Sequence, residues 1–513
     1  MMRRPQSLLM LLVLLLGVAP TITAQHNHPA PEKLGTVVFP TACMVAAQPQ
    51  FNRAVALLHS FAYSESEKAF QQVLTADRSC AMAHWGVAMT YYHQLWEPPL
   101  NKSSYAKGAS ELGQIKKESP RSTRESQYIA ALQTVYSNAD KQSLRERMIG
   151  YEHSMADVAK SNPSDMEAQV FFALALLSTA PPTDKTHANQ KKAVALLEPL
   201  YAMNPQHPGI PHYLIHAYDN AEMARQGVQA ALDYSKIAPS APHALHMPSH
   251  IFTRLGMWNE SVASNQAARG AAREHGDTGE ELHAMDYLTY AYLQLGRADD
   301  AAKVVADLRE MSGLQGNFKA GYAATAMPTR LAIERGDWKR AVSLEPAADA
   351  PPEAQAVAVW ARAIGFARLG NGNEASVEAA KLAQLERQLR NGGKDYWADQ
   401  VKIQAGEAQS WIAFANGDDK AAIKSLSAAA DLEDSIEKLP LTPGPIIPAR
   451  EQYAELFLEL KQPDAALTQF ETSLKQSPGR RNALLGANKA AELSKNEEKT
   501  KLYEAELQKL PNR

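Results

Sequence analysis

The chain has 513 residues, of which 45% are hydrophobic and 21% are charged, and its formal net charge is −3. This composition is typical of a soluble globular protein and is sufficient for a large core. The chain has no basic run and lacks the Lys/Arg excess that a phosphate-binding surface needs, so the charge argues against nucleic acid as a partner.

Residues 1–24 have the pattern of a secretory signal peptide. Arg3 and Arg4 supply the positive end, an apolar run covers 8–18, and Ile22-Thr23-Ala24 forms a cleavage site. The apolar run is too short to span a bilayer comfortably, and no other long apolar run occurs. We therefore expect an exported protein, periplasmic or secreted, with no membrane span and with an extended amino-terminal segment over 25–48.

Cys43 and Cys80 are the only cysteines of the chain. In an oxidising compartment two cysteines most simply form one disulfide, which would attach the amino-terminal segment to the first helical hairpin. The alternative is a pair of thiolates that binds metal, but the two residues are far apart in sequence and have no neighbouring ligands. The disulfide is the favoured prediction.

From residue 49 onward the pattern is helical. Apolar residues recur at spacings of three and four, whereas the alternation typical of strands is scarce. The segments come in pairs with short turns, which predicts an all-α fold of helical hairpins. The predicted divisions are 49–205, a histidine-rich central group at 206–320, a further group at 321–433, a Pro-rich linker at 434–449, and a last group at 450–513.

An internal repeat identifies the type of hairpin. "MPSHIFTRLGMWNESV" from Met247 and "MPTRLAIERGDWKRAV" from Met327 share Met-Pro, a Gly eight residues after the Pro, and a Trp two residues later. The carboxyl-terminal unit adds Tyr453, Ala466, Phe470 and Pro478 at their expected places. The pattern resembles the tetratricopeptide (TPR) repeat, a helix–turn–helix unit of about 34 residues. The resemblance implies a right-handed α-solenoid of stacked hairpins, whose first helices line a concave groove that usually holds a protein or peptide partner.

The central repeats concentrate histidines at equivalent positions. The equivalent positions lie six, ten and thirteen residues before the turn residues Glu222, Gly256 and Gly296. The polar residues reached are His216 and His212, then His250, His246 and His243, then Tyr290, Asp286 and His283. Spacings of three and four place each group on one helical face, which in tetratricopeptide proteins faces the groove. Asp219 lies one turn beyond His216 and extends the predicted site.

Later repeats show that stacking does not require these histidines. The same count from Gly336 reaches Arg330 and two alanines. The same face continues at Trp360, Glu407 and Trp411, where a bound peptide is expected to make contact. The histidines of the central repeats are therefore expected to serve a ligand.

A shared cation is the favoured explanation for the crowding, because neighbouring imidazoles repel one another when they are charged. Imidazole suits zinc, copper, iron or nickel, and nearby carboxylates widen the range. The predicted metal ligands are His212, His216, His246, His250, His283 and Asp286, and the predicted ligand-contacting residues are Asp219, His243 and Tyr290. Pro248 is expected to kink or start a helix between His246 and His250.

Two classes of function stay open at this point. The first is a binding or scaffold protein, in which the histidines supply hydrogen bonds or hold a structural metal. The second is a metal-dependent enzyme, a hydrolase or oxidoreductase, in which Asp219, Asp286 or Tyr290 transfers protons and the metal keeps an open position. The expected cofactor is a divalent transition metal, namely zinc, copper or iron. A solenoid of this kind determines no chemistry by itself.

Overall fold

The computed structural model describes residues 32–95, 101–117, 119, 121–311, 314, 318–348 and 350–510. The predicted signal peptide at 1–24 lies outside the described residues. Contacts divide the chain between residues 32 and 33, and every element below belongs to the unit that begins at Lys33. Within the predicted extended segment, residues 33–44 contain no helix, and the first α-helix begins at Gln48.

Helices account for all the regular secondary structure of the described residues. The first eight are α1 Gln48–His59, α2 Tyr63–Ala76, α3 Ala81–Met89, α4 Lys102–Gly113, α5 Thr123–Tyr136, α6 Leu144–Ser161, α7 Met166–Thr179 and α8 Ala188–Met203. The central helices are α9 Gly209–Tyr218, α10 Val228–Ile237, α11 Pro242–His246, α12 Pro248–Arg254, α13 Trp258–His275, α14 Thr278–Gln294 and α15 Ala298–Asp307. The remaining ones are α16 Phe318–Glu334, α17 Trp338–Ala341, α18 Pro352–Arg368, α19 Gly372–Asn391, α20 Asp395–Ala415, α21 Asp419–Asp434, α22 Ala449–Glu459, α23 Pro463–Gln476, α24 Arg481–Leu493 and α25 Glu497–Lys509. Short 3₁₀ helices cover Val45–Ala47, Ala224–Gly227 and Leu308–Glu310.

The turns between paired helices lie where the repeat pattern predicts them. Gly256 and Gly296 adopt positive φ values of 70° and 73°, a conformation that a side chain disfavours. After Gly256, the N–H of Met257 donates to the carbonyl of Phe252 at 2.8 Å and ends the helix. The predicted all-α fold of stacked helical hairpins is confirmed. The break at Pro248 also agrees with expectation, since α11 ends at His246 and α12 begins at Pro248.

The Cys43–Cys80 disulfide is present, with Cα atoms 4.8 Å apart. Cys80 is the residue that precedes α3, so the bridge attaches the amino-terminal segment to the start of the second hairpin. The sequence had predicted attachment to the first hairpin. A hydrogen bond from the Met44 N–H to Asp77 Oδ2 (2.7 Å) fixes the same segment beside the bridge.

We expect the oxidised protein to contain no titratable thiol when it is denatured without reductant. The part of the chain that carries both cysteines holds them in one covalent bond, and the sequence has no others. Thiol titration in denaturant measures this directly, and the same sample after reduction is the control, with two thiols expected. Two thiols before reduction would contradict the bridge.

The carboxyl-terminal hairpins return to the central repeats. The indole N–H of Trp258 donates to the carbonyl of Gly479 at 2.8 Å, and Arg480 Nη1 donates to the hydroxyl of Tyr290 at 2.9 Å. The approach is close enough that a Cβ at Gly256 would lie 2.5 Å from the carbonyl oxygen of Pro478. The superhelix of residues 33–510 is thereby closed by contacts between repeats distant in sequence.

The Pro-rich linker lies in the groove that this closure encloses. It connects α21 to α22 over residues 435–448. Arg330, the residue at the histidine-equivalent position of a later repeat, donates to the carbonyls of Pro445 (2.8 Å) and Gly444 (3.3 Å). The N–H of Leu439 donates to the hydroxyl of Tyr396 at 3.2 Å. The linker, hereafter the groove linker, therefore covers part of the face predicted to bind a peptide.

Candidate metal centre

Six histidines of the central repeats meet on one side of the groove. They come from α9 (His212, His216), α11 (His243, His246), α12 (His250) and α14 (His283). The spacing of four within α9, and the same spacing across the break at Pro248, turns the members of each pair toward the same side. His216 is partly exposed, and the other five are buried.

His212, His216 and His243 form the first histidine set. One ring nitrogen from each lies within 4.8 Å of the corresponding nitrogens of the other two. The two Nε2 atoms of His212 and His216 are 3.1 Å apart. Phe61 packs edge-on against His212 at 4.4 Å between ring centroids, and Tyr234 stacks on the same imidazole at 5.0 Å. Aromatic rings thus wall the first set and fix its side chains.

His246, His250 and His283 form the second histidine set, with the same 4.8 Å limit between their ring nitrogens. The Nε2 atoms of His246 and His250 are 3.1 Å apart, and the His246 and His283 ring centroids are 4.2 Å apart. The Tyr287 ring packs perpendicular to His246 at 4.7 Å. Sequence reasoning missed Tyr287, because the count from the turn reached its neighbour, Asp286.

The two sets adjoin each other. The ring centroids of His216 and His250 are 6.0 Å apart, and those of His243 and His246 are 6.1 Å apart. The histidines that the sequence grouped into one site are therefore arranged as two neighbouring groups of three.

Three of the imidazoles are oriented through Nδ1. His212 Nδ1 donates to the backbone carbonyl of His59 at 2.6 Å, and His250 Nδ1 donates to Asp219 Oδ2 at 2.9 Å. His246 Nδ1 lies 2.6 Å from Asn265 Oδ1. Such partners fix the tautomer and direct Nε2 toward the other imidazoles, as the outer partners of metal-bound histidines do.

The tautomer of His246 follows from the hydrogen bonds of Asn265. The side-chain amide of Asn265 donates from Nδ2 to the carbonyl of Ser261 at 2.8 Å, which leaves Oδ1 as the acceptor facing His246. His246 must then carry its proton on Nδ1. His243 is held in a comparable way, with Nδ1 3.1 Å from Glu280 Oε2.

Burial favours the neutral form of four of the imidazoles, His212, His216, His246 and His250. It lowers the pKa of His212, His216 and His246 well below the ordinary value, and the neighbouring imidazoles add to the effect. Burial also lowers the pKa of His250 to about 4, even though Asp219 acts in the opposite direction. At neutral pH the Nε2 lone pairs of His212, His246 and His250 are therefore available to a cation.

Asp219 orients His250 and also contacts two positively charged side chains. Its carboxylate lies 2.8 Å from Lys438 Nζ and 2.8 Å from Arg254 Nε. Burial acts to raise the pKa of Asp219, but Lys438 and Arg254 hold it well below its usual range. Lys438 belongs to the groove linker, so this contact joins residues 219 positions apart, which sequence reasoning missed.

Two predicted site residues lie outside both histidine sets. Asp286 is 3.7 Å from Arg330 Nε, and burial raises its pKa to about 6. Tyr290 accepts a hydrogen bond from Arg480 and belongs to the contact that closes the superhelix. At these two positions the helix meets Arg330 and Arg480 and not the histidine sets.

A third cluster contains His59, Glu167 and His207, all buried. The two Glu167 oxygens accept from His59 Nε2 (2.9 Å) and His207 Nε2 (3.0 Å). The second nitrogen of each ring is also occupied, His59 Nδ1 by the hydroxyl of Tyr213 and His207 Nδ1 by the N–H of Gly209. We interpret this saturated network as structural. It fixes His59, whose carbonyl in turn orients His212.

A small cavity of about 80 Å³ reaches the centre at His216. Asp219, Asn220, Pro181, Pro182 and residues 438–440 of the groove linker also line it. The partly exposed imidazole of His216 thus faces the space through which an ion would approach. A separate cavity of about 130 Å³ lies further along the groove, where Trp360, Glu407 and the linker line it.

Comparison with known proteins adds a general likeness to solved helical-repeat structures. The human IFIT1 dimer with PPP-AAAA is 12% identical, with a TM-score of 0.42 over 84% of this chain and 91% of that one. Cut9 in the APC/C Cut9-Hcn1 hetero-tetramer is 12% identical, with a TM-score of 0.38 over 90% and 78%. Yeast Tom70 is 11% identical, with a TM-score of 0.34 over 88% and 89%. No protein-family model and no curated protein sequence matches the chain.

The described residues form the all-α stack of helical hairpins that the resemblance to tetratricopeptide repeats predicted. Within the described part of the chain, no helix is both long enough and apolar enough to cross a membrane.

Proposed function

We propose that this protein binds transition metal through its two histidine sets, with the tetratricopeptide-type superhelix acting as the scaffold that buries the centre. The observation that carries the proposal is the 3.1 Å contact between His246 Nε2 and His250 Nε2. Both rings donate from Nδ1 to fixed acceptors, Asn265 and Asp219. Two lone pairs then face each other, an arrangement that a cation between them would stabilise.

The alternative is that His250 is an imidazolium that donates to His246. Asp219 does not require this extra cation, because Lys438 and Arg254 already lie 2.8 Å from its oxygens. Burial among other imidazoles also opposes the charge, as the low pKa of His250 indicates. The neutral form of His250 is therefore favoured.

The spacing of the nitrogens suits a shared ion. Two imidazoles bound at 2.0–2.1 Å to a tetrahedral ion have nitrogens about 3.3 Å apart. The pairs His212–His216 and His246–His250 each have this separation within about 0.2 Å, at 3.1 Å. Zinc, copper and iron all accept imidazole, so the ligands support the same range of metals that the sequence suggested.

Replacing His216 with alanine should weaken metal binding more than about tenfold, because loss of even an outer partner of a metal ligand typically costs 10–100-fold. His216 is the partly exposed member of its set, so its removal should preserve the fold. The measurement is equilibrium dialysis of metal-free, untagged protein against Zn²⁺, and anaerobically against Cu⁺.

The matched control is His153→Ala, since His153 is exposed and lies on α6, outside the histidine sets. Equal affinities for the two variants, with helicity unchanged by circular dichroism, would contradict the assignment of His216 as a ligand. Failure of the wild-type protein to bind either ion would reject the proposed function as a whole.

We also propose that the protein is exported and that it binds a protein partner. The signal-like residues 1–24 and the Cys43–Cys80 bridge support export. Folds of this type generally bind protein partners. Here the groove linker covers part of the usual surface, so a peptide that uses the face around Arg330 would have to displace it.

A further inference from the structure

We infer that the centre holds two copper ions at once, one in each histidine set, as an adjacent pair. This inference rests on the proposed function, which requires only that some transition metal binds. It adds the number of ions, their arrangement and the identity of the metal.

The number follows from distances. Three nitrogen ligands at 2.0–2.1 Å from a tetrahedral ion lie about 3.3 Å from one another. Each histidine set satisfies a limit of 4.8 Å, so a contraction of at most about 1.5 Å closes it on an ion. By this limit between ring nitrogens the six imidazoles fall into two groups of three, so we assign one ion to each group.

The arrangement leaves room for exogenous ligands. Three imidazoles per ion leave the fourth tetrahedral position open, as in metal sites that keep a position for water or substrate. The neighbouring rings His216 and His250 belong to different sets, so the two ions would sit side by side and a small ligand could contact both. The cavity beside His216 supplies the approach.

The identity of the metal follows from charge. All six proposed ligands are imidazoles, which bind a metal only in their uncharged form. The charged groups in direct contact with these histidines or with Asp219 balance: Asp219 and Glu280 are negative, and Lys438 and Arg254 are positive. Two divalent ions would add four uncompensated charges to a buried site, whereas two cuprous ions would add two. Since the cost of burying an ion grows with the square of its charge, the site favours the monovalent ion. Copper is the imidazole-binding metal that supplies it.

The test is an anaerobic titration of metal-free, untagged protein with Cu⁺ in the presence of a chromophoric competing chelator. We expect two ions per chain. The double variants His212→Ala/His216→Ala and His250→Ala/His283→Ala should each retain one ion, and His153→Ala should retain two. His250 and His283 are buried, and their double variant would be uninformative if it did not fold. In that case the number of Cu⁺ ions bound per wild-type chain tests the inference by itself.

A second measurement tests whether the two copper ions lie close together. After oxidation of the bound copper to Cu²⁺ by ferricyanide, one electron per ion, the wild-type protein should show a magnetically coupled electron paramagnetic resonance spectrum. The variant that retains one ion should show the spectrum of an isolated Cu²⁺ ion.

The outcomes separate the two claims. One Cu⁺ per wild-type chain, two uncoupled ions, or binding of Zn²⁺ without Cu⁺ would each overturn the two-copper inference and leave the proposed function intact. Binding of neither ion would overturn both.

Discussion

Replacing Arg480 with methionine should lower the free energy of unfolding by about 3–5 kcal/mol, the usual cost of removing one partner from a buried ion pair. Arg480 is fully buried and donates to both oxygens of Glu451, at 2.7 and 3.0 Å. The same guanidinium contacts Glu334 at 2.9 Å and Tyr290 at 2.9 Å. Methionine fills similar space but leaves two buried carboxylates without their shared cation. Urea denaturation followed by circular dichroism measures the loss.

Arg390→Met is the matched control. Arg390 also pairs with a carboxylate, Asp399 at 2.7 Å, but its side chain is 40% exposed, so its loss should cost less than about 1 kcal/mol. The double variant Arg480→Met/Glu451→Gln should recover part of the loss, because it removes one of the stranded charges. Equal stabilities of the Arg480 and Arg390 variants would mean that the contact closing the superhelix contributes little.

Helical periodicity explains how much of the centre the sequence could predict. Gly256 and Gly296 mark the ends of first helices because their positive φ values favour glycine. Counting back from them by helical spacing locates side chains on one face, which is a local property. The assembly of His212, His216 and His250 needs only that adjacent hairpins stack in register, and the tetratricopeptide resemblance supplied that register.

The residues that cover this helical face come from distant parts of the chain, so the local sequence pattern could not predict them. Nothing near Tyr290 indicates that Arg480 would reach it from the carboxyl-terminal hairpins, and nothing near Asp219 indicates Lys438. Both contacts depend on how the superhelix closes. That closure is the accumulated result of small rotations between many successive repeats. The groove linker was predicted as a connection between repeats, whereas its position inside the groove depends on that closure.

Lowering the pH from 7.5 to 5 should destabilise the metal-free protein by about 2 kcal/mol through His250 alone. An unfolded histidine has a pKa near ~6.5, whereas burial lowers the pKa of His250 to about 4 in the folded chain. Between these values the unfolded state binds more protons, so stability falls as the pH falls through this window. His212, His216 and His246 have pKa values shifted in the same direction and should add to the loss.

The contribution of His250 to the pH dependence of stability is the difference between the wild type and a variant that lacks this imidazole. Urea denaturation of metal-free wild-type protein and of His250→Asn at pH 7.5 and 5 should show a change with pH that is smaller in the variant by about 2 kcal/mol. His153→Asn, at an exposed position, serves as the control and should change with pH as the wild type does. Equal responses of His250→Asn and the wild type would contradict the lowered pKa of His250. A smaller loss of stability in the wild type than in His250→Asn would mean that His250 is already protonated in the folded chain at pH 7.5. Its Nε2 would then donate to His246 and could not bind an ion, so the same result would remove the main support for the metal centre.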